Sequence, residues 1–128
     1  MFFKKQKKDK LFNGSPAETV ISEGIAIESG KIHGTGNVRI DGSFSGDISI
    51  DGYVAVGAAG NVSGEIKARS AMFSGTYSGS VTVDDTVRFF DGSNVNAQVE
   101  ANKIIMDEGA AFKGYITSAK IFQEEAKL

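Results

Sequence analysis

His33 is the only histidine of this chain, and it is the first side chain to consider for catalysis or metal binding. It directly follows Ile32 in a segment with strand-like alternation, and neighbouring residues of a strand point to opposite faces. We therefore expect the imidazole of His33 to face solvent. The chain has no cysteine, and no group of histidine and carboxylate residues has the spacing of metal ligands. The sequence predicts neither a metal site nor a histidine-based active site.

Two acidic doublets, Asp84-Asp85 and Asp107-Glu108, are the next candidates. A pair of carboxylates can hydrolyse a glycosidic bond when both face one substrate. Neighbours in a strand face opposite sides, so we interpret the doublets as corner residues between strands. The repeated glycine-aspartate nonapeptide of calcium-binding solenoids is absent.

Glycine-rich segments offer no nucleotide site either. Gly34-Thr35-Gly36 begins like a dinucleotide-binding loop, but Arg39 stands where the third glycine belongs. The segment Gly57–Gly60 lacks the lysine and hydroxyl residue of a phosphate-binding loop. We expect no cofactor and no bound nucleotide, and predict that the protein is not an enzyme.

The first ten residues combine bulky apolar groups with positive charge. They carry five lysines and Asp9, a net charge of +4, whereas the other 118 residues carry 9 basic and 15 acidic groups, a net charge of −6. Lysine contributes about 1 kcal/mol near an anionic membrane surface, and apolar side chains can enter the headgroup boundary. We predict binding to the inner leaflet of the cytoplasmic membrane through Met1, Phe2, Phe3, Lys4, Lys5, Lys7 and Lys8. An ordinary solubilising lysine-rich terminus is the alternative.

Composition bears on partners and compartment. The acidic body has no basic stripe, so we expect no nucleic-acid partner. No stretch has the length of a signal-peptide core or a membrane span, and the lack of cysteine gives no reason to expect an oxidising compartment. The expected location is cytoplasmic, peripheral at the membrane's inner face.

Between Ile32 and Phe112, apolar residues recur at intervals of six residues, which indicates an extended chain. Six is a multiple of two, so these side chains share one face of a strand, whereas six is not a multiple of the helical repeat of 3.6. Such regular reuse of one face is typical of a β-solenoid. The phase slips by three between Ala68 and Ala71. The residues are Ile32, Val38, Phe44, Ile50, Val56, Val62, Ala68, then Ala71, Tyr77, Val83, Phe89, Val95, Ala101, and finally Met106 and Phe112.

The spacing of equivalent apolar residues gives the size of one coil. Phe44, Val62, Tyr77, Val95 and Phe112 are separated by 18, 15, 18 and 17 residues. A coil of about 17 residues with three inward faces predicts an all-β, single-domain, triangular β-helix of about six coils, on the order of 30 Å long. The predicted division is a disordered basic tail over 1–20, a β-helical core over 21–117 and a short charged C-terminal tail over 118–128, with one or two helical turns possible in the last.

The two ends of such a rod expose unpaired backbone groups and a slice of the core, and solenoids usually hide them under a cap. No obvious cap is encoded here. We therefore predict end-to-end polymerisation, with Ile25, Ile27 and Ile32 at one end and Ile104, Met106, Phe112 and Ile116 at the other.

Several segments resemble those of the bactofilins, a family of bacterial cytoskeletal proteins. They are Ile40–Ile48 (IDGSFSGDI), Val54–Gly57 (VAVG), Gly60–Ala68 (GNVSGEIKA), Gly109–Gly114 (GAAFKG) and the start Met1–Lys5 (MFFKK). The resemblance implies a right-handed triangular β-helix, nucleotide-free filaments formed end to end, and membrane attachment through residues 1–5. It also implies roles in cell shape through scaffolding of cell-wall enzymes.

Two other functions fit the pattern less well. A left-handed hexapeptide-repeat acyltransferase would share the spacing of six, but it works as a trimer and needs a histidine near the subunit boundary, whereas His33 lies early in the chain. A monomeric binding module would need well-capped ends.

Overall fold

The computed structural model of the chain describes residues 17–123, and side-chain surroundings for residues 17–118. Every regular element in this part is a β-strand, and neighbouring strands pair in parallel. The strands are β1 (Thr19–Ile21), β2 (Ala26–Thr35), β3 (Val38–Ile40), β4 (Ser43–Asp51), β5 (Tyr53–Val56), β6 (Asn61–Ala68), β7 (Ser70–Phe73), β8 (Thr76–Val83), β9 (Thr86–Phe89), β10 (Asn94–Met106) and β11 (Ala111–Gln123).

The strands wind into a rod with three faces. The first face consists of β1, β3, β5, β7, β9 and the last segments of β10 and β11. The long strands β2, β4, β6, β8, β10 and β11 form the second and third faces in succession. Six complete coils result, followed by one further strand segment on the first face. The predicted triangular β-solenoid of about six coils is confirmed, and its handedness stays a prediction.

The core runs along the axis of the rod and contains the predicted ladder. Every ladder residue belongs to the buried cluster or packs against it. On the third face, for example, Ile48, Ile66, Val81, Val99 and Ile116 occupy one register column. Because parallel in-register strands place like side chains above each other, each coil buries its apolar slice against the next.

Aromatic rings fill the middle of this core. The ring centroids of Phe73 and Tyr77 lie 5.0 Å apart, and those of Phe73 and Phe89 lie 5.7 Å apart. The hydroxyl of Tyr77 lies 2.5 Å from the carbonyl oxygen of Gly64 and 2.9 Å from that of Ser80. Burial raises the pKa of Tyr77. Tyr77 pairs with Val62 of the preceding coil, and this is the pair of coils with the shortest separation in sequence. The Tyr77 hydroxyl connects these two coils at the corner.

Glycine is needed where the second face turns into the third. Gly64 has φ of +125°, and a Cβ built there would lie 1.8 Å from the carbonyl oxygen of Gly46 in the preceding coil. Gly46, Gly79 and Gly114 repeat this arrangement. Ala97, which interrupts the glycine series in the sequence, has no positive φ, and β10 continues through this corner.

The structure moves the predicted C-terminal boundary. β11 continues to Gln123 and pairs with β10 from Asn94↔Ala111 to Met106↔Gln123. The core therefore extends beyond the predicted end at residue 117, and residues 118–123 are strand rather than a helical or irregular tail. A single apolar pair, Ile121-Phe122, followed by acidic residues was too weak a pattern to predict this strand.

Candidate polymerisation interface

The side chains that first suggested chemistry are dispersed on the surface. His33 is exposed on the outer side of the third face, as expected, opposite Ser49 in the register. Asp84 and Asp85 follow the end of β8, and their amides donate to the carbonyls of Ala68 and Arg69. Among residues 17–123, no group of three histidine or acidic side chains is placed to hold a metal ion.

The acidic side chains instead pair with arginines around the rod. Arg88 donates to Asp107 at 2.9 Å, and Arg39 donates to Asp41 at 2.9 Å. Arg69 donates to Asp51 in the preceding coil, and this hydrogen bond raises the pKa of the Arg69 guanidinium. The Arg69–Asp51 pair is exposed, and such pairs contribute little to stability, whereas the other two pairs are partly buried. All three pairs lie on the lateral surface of the rod and not at its ends.

The N-terminal end is formed by β1 and β2. β2 pairs with β4 on one side, and the described part of the chain contains no strand on its other side. Two predicted residues, Ile25 and Ile27, are 52% and 37% exposed, and Ile32 is partly buried. Val20, which sequence reasoning missed, is 51% exposed on the outer side of β1. This end thus presents an open strand edge together with apolar side chains.

A β-bulge interrupts this open edge. The register with β4 shifts between Ile27 and Gly30, and Ser29 has φ of +57°. Its amide donates to the hydroxyl oxygen of Ser45 at 3.3 Å. Bulges disturb the ladder that a further strand would follow. We therefore expect the straight segment Lys31–Thr35 to offer the better edge for pairing with another subunit.

The C-terminal end is formed by β11. It pairs with β10 alone within the described residues. Phe112 is partly buried, and its ring centroid lies 5.2 Å from that of Phe89 in the preceding coil. Ile116 is also partly buried against the core. These two predicted residues therefore form the apolar surface of the last second-face and third-face segments.

Two other predicted interface residues do not lie at this end. Ile104 is fully buried and pairs in register with Ile121, and Met106 pairs with Gln123. The last segment of β11 covers them on the first face, so the expectation that they face the end of the rod is wrong. The error follows from the boundary placed at residue 117.

Sequence reasoning also missed an apolar groove on the outer side of the first face. Ala55 and Met72 alternate with inward-facing core residues, yet each is only 4% exposed. With Tyr53 they form a second buried cluster, against which Phe90 packs. A cavity of about 410 Å³ lies beside them. In the sequence these are single apolar residues at outward positions of β5, β7 and the turn after β9, and no spacing between them marks a cluster.

The predicted membrane-binding residues, Met1 to Lys5 together with Lys7 and Lys8, lie outside the described residues. Within the described part of the chain, no helix is long and apolar enough to cross a bilayer. Membrane binding therefore stays a prediction.

Comparison with known proteins identifies the same fold. Residues 19–117 match the family model described as "Bactofilin: Polymer-forming cytoskeletal". A bactofilin from Thermus thermophilus, solved as a phenylalanine-to-arginine mutant, is similar in structure with a TM-score of 0.55 and 24% identity, over 83% of this chain and 98% of that one. No curated protein sequence matches the chain.

Proposed function

Because the chain belongs to the bactofilin family of polymer-forming cytoskeletal proteins, we propose that it assembles end to end, without nucleotide, into filaments attached to the inner face of the cytoplasmic membrane. The single observation that carries this proposal is the pair of end coils, neither of which is covered by another strand of residues 17–123. β2 and β11 each leave one strand edge without a described neighbour. Apolar side chains lie at both ends of the rod, Ile27 at the N-terminal end and Phe112 at the C-terminal end.

The energetics of such a joint favour association. Pairing two open edges on three faces forms some ten backbone hydrogen bonds, each contributing roughly 0.5–1.5 kcal/mol. Burial of Ile27, Ile32, Phe112 and Ile116 adds about 25 cal/mol for each Å² of apolar surface removed from water. The opposing loss of translational and rotational freedom is on the order of 4–15 kcal/mol. The sum supports a stable joint, and no nucleotide is needed to drive it.

Sedimentation velocity of purified protein without nucleotide tests the assembly. We expect a broad, concentration-dependent distribution of large species. A discrete trimer would instead favour the acyltransferase alternative. The position of His33 in the first coil, beside Lys31 and Asp47 on an open polar surface, gives no support to that alternative, and the family is a structural one.

Membrane attachment is proposed through the first eight residues. One copy of Met1-Phe2-Phe3 with its lysines binds weakly, but many copies on one filament bind through avidity. The test is flotation of the protein with vesicles that contain anionic lipid, compared between the full chain and a variant lacking residues 1–10. The truncated protein should remain at the bottom of the gradient while still forming filaments. Flotation of the truncated filaments would contradict this assignment.

We extend the proposal to a role in cell shape through scaffolding of cell-wall enzymes. Its support is the family alone. A polymer that repeats the same lateral surface in every subunit is suited to concentrating partners at a membrane.

A further inference from the structure

The three faces of the rod contain different numbers of strand segments. Within residues 17–123, the first face has seven, from β1 to residues 120–123 of β11. The second and third faces have six each, from β2 to residues 111–118 of β11. Seven segments on one face and six on each of the other two make 19, which is six coils and one third of a coil.

Each end of such a rod is a spiral edge with one step. Because the chain rises by one strand spacing, about 4.8 Å, in each coil, neighbouring faces differ in height by about a third of that spacing. At the C-terminal end the edge rises from the second face through the third to the first, so the step lies where the first and second faces meet. At the N-terminal end β1 begins the spiral on the first face, so the step lies where the first and third faces meet. The two steps therefore lie at different corners of the triangle.

A joint that keeps the first faces in line cannot pair all three faces. If the two first-face edges are one strand spacing apart, the edges on the second and third faces are two spacings apart, about 10 Å. Backbone hydrogen bonds do not span that distance, and Phe112, Ile116 and Ile27 at the ends stay incompletely buried. If the second and third faces pair instead, the two first-face edges occupy the same space. The mismatch is the same whether opposite ends or identical ends meet.

Aligning the two steps removes the mismatch. A head-to-tail neighbour achieves this with a third of a turn about the rod axis, which places its first face on the second face of the preceding subunit. Two N-terminal ends achieve it about a two-fold axis through the step, which places the first face of each against the third face of the other. In both arrangements all three pairs of edges lie one strand spacing apart.

We infer that adjacent subunits join with their steps aligned, so that the first face of one subunit continues on the second or third face of its neighbour and never on the neighbour's first face. This inference rests on the proposed end-to-end assembly and adds the rotation at each joint. The aligned joint pairs backbone edges on three faces, whereas the unrotated joint pairs them on one. As a consequence, the first faces of successive subunits point to different sides of the filament.

Disulfides between introduced cysteines test the alignment, because the chain has no cysteine of its own. Val20→Cys is common to all variants, since Val20 is 51% exposed on the outer side of β1 and so marks the first face at the N-terminal end. Adding Lys113→Cys, an exposed position on the second face of β11, reports an aligned head-to-tail joint. Adding His33→Cys, an exposed position on the third face of β2, reports an aligned joint between two N-terminal ends.

Two control variants report joints with the first faces in line. Val20→Cys alone reports two N-terminal ends joined in this way. Val20→Cys with Phe122→Cys reports the head-to-tail equivalent, because residues 20 and 122 occupy the same register column of the first face. Polymers of each variant are assembled from mixed isotopically light and heavy protein and then oxidised, and mass spectrometry counts the disulfides between chains. Sedimentation velocity establishes separately that each variant polymerises.

The expected result is that the 20–113 or the 20–33 disulfide forms in roughly ten-fold higher yield than both the 20–20 and the 20–122 disulfides, through its higher effective concentration. Comparable yields for all four, or an excess of the 20–20 or 20–122 disulfide, would overturn the alignment while end-to-end assembly stands. Failure of the unaltered protein to polymerise would instead contradict the proposed function, and the alignment with it.

Discussion

Phe112→Arg should separate folding from assembly. In the monomer the Phe112 ring is partly buried against Phe89, with centroids 5.2 Å apart, and it has no described strand above it. Full burial of a phenylalanine side chain contributes about 1.5–3 kcal/mol, so burying its exposed part in a joint contributes about 1 kcal/mol. Placing an unpaired guanidinium there costs several kcal/mol more. The joint should therefore weaken by about 4 kcal/mol, or roughly a thousand-fold in dissociation constant.

The assay is sedimentation velocity together with thermal unfolding followed by circular dichroism. The variant should sediment as a folded monomer, because the arginine can extend past the end of the rod into solvent. Tyr115→Arg is the matched control, since Tyr115 lies in the same coil but points outward and is 75% exposed, and it should polymerise like the unaltered protein. If Phe112→Arg forms polymers at the same protein concentration as the unaltered protein, or if both variants lose assembly equally, the assignment of this end as a joint is wrong.

Two further predictions concern the rod itself. Gly64→Ala should lower the free energy of unfolding by about 3 kcal/mol or more, because it combines a positive φ with a Cβ placed 1.8 Å from the carbonyl oxygen of Gly46. The control is Gly24→Ala, at φ +92° with open space around it, which should lower the free energy of unfolding by about 1 kcal/mol. Equal losses for the two variants in chemical denaturation would contradict the steric argument for the corner glycines. The pKa of Tyr77 is higher in the folded protein than the value of about 10 for tyrosine in an unfolded chain. The stabilisation that this difference represents is complete below about pH 10 and is lost as the pH rises from there through the folded-state pKa. Tyr77→Phe should therefore show a shallower fall of the unfolding midpoint above pH 10 than the unaltered protein, and identical slopes would contradict the assignment.

The coil architecture was predictable because each coil repeats the same physical constraints. Inward positions such as Val62, Tyr77 and Val95 must be apolar, and the corner after each must be tight, so the period appears directly in the sequence. The glycine series shows this most clearly. At Gly46, Gly64 and Gly79 a Cβ would clash with the backbone of the preceding corner, so glycine recurs there, and Ala97 is the exception in this register column.

Features set by a single coil were not predictable. The bulge at Ser29 depends on a register shift between β2 and β4, and a shift in one coil produces no periodic pattern in the sequence. The end of β11 depends on pairing with Lys103–Met106, and because this was missed, Ile104 and Met106 were placed at the end of the rod. The outer groove depends on Met72 and Phe90 coming together from different coils, whereas an isolated outward apolar residue in the sequence carries no such meaning.

Electron microscopy of negatively stained, purified protein without nucleotide tests the central claim most directly. Uncapped coils at both ends should produce unbranched filaments only one rod wide, with an axial repeat of about 30 Å given by six coils at the spacing of paired strands. Discrete particles of one subunit length at high protein concentration would contradict the account, since they would show that both ends are sealed.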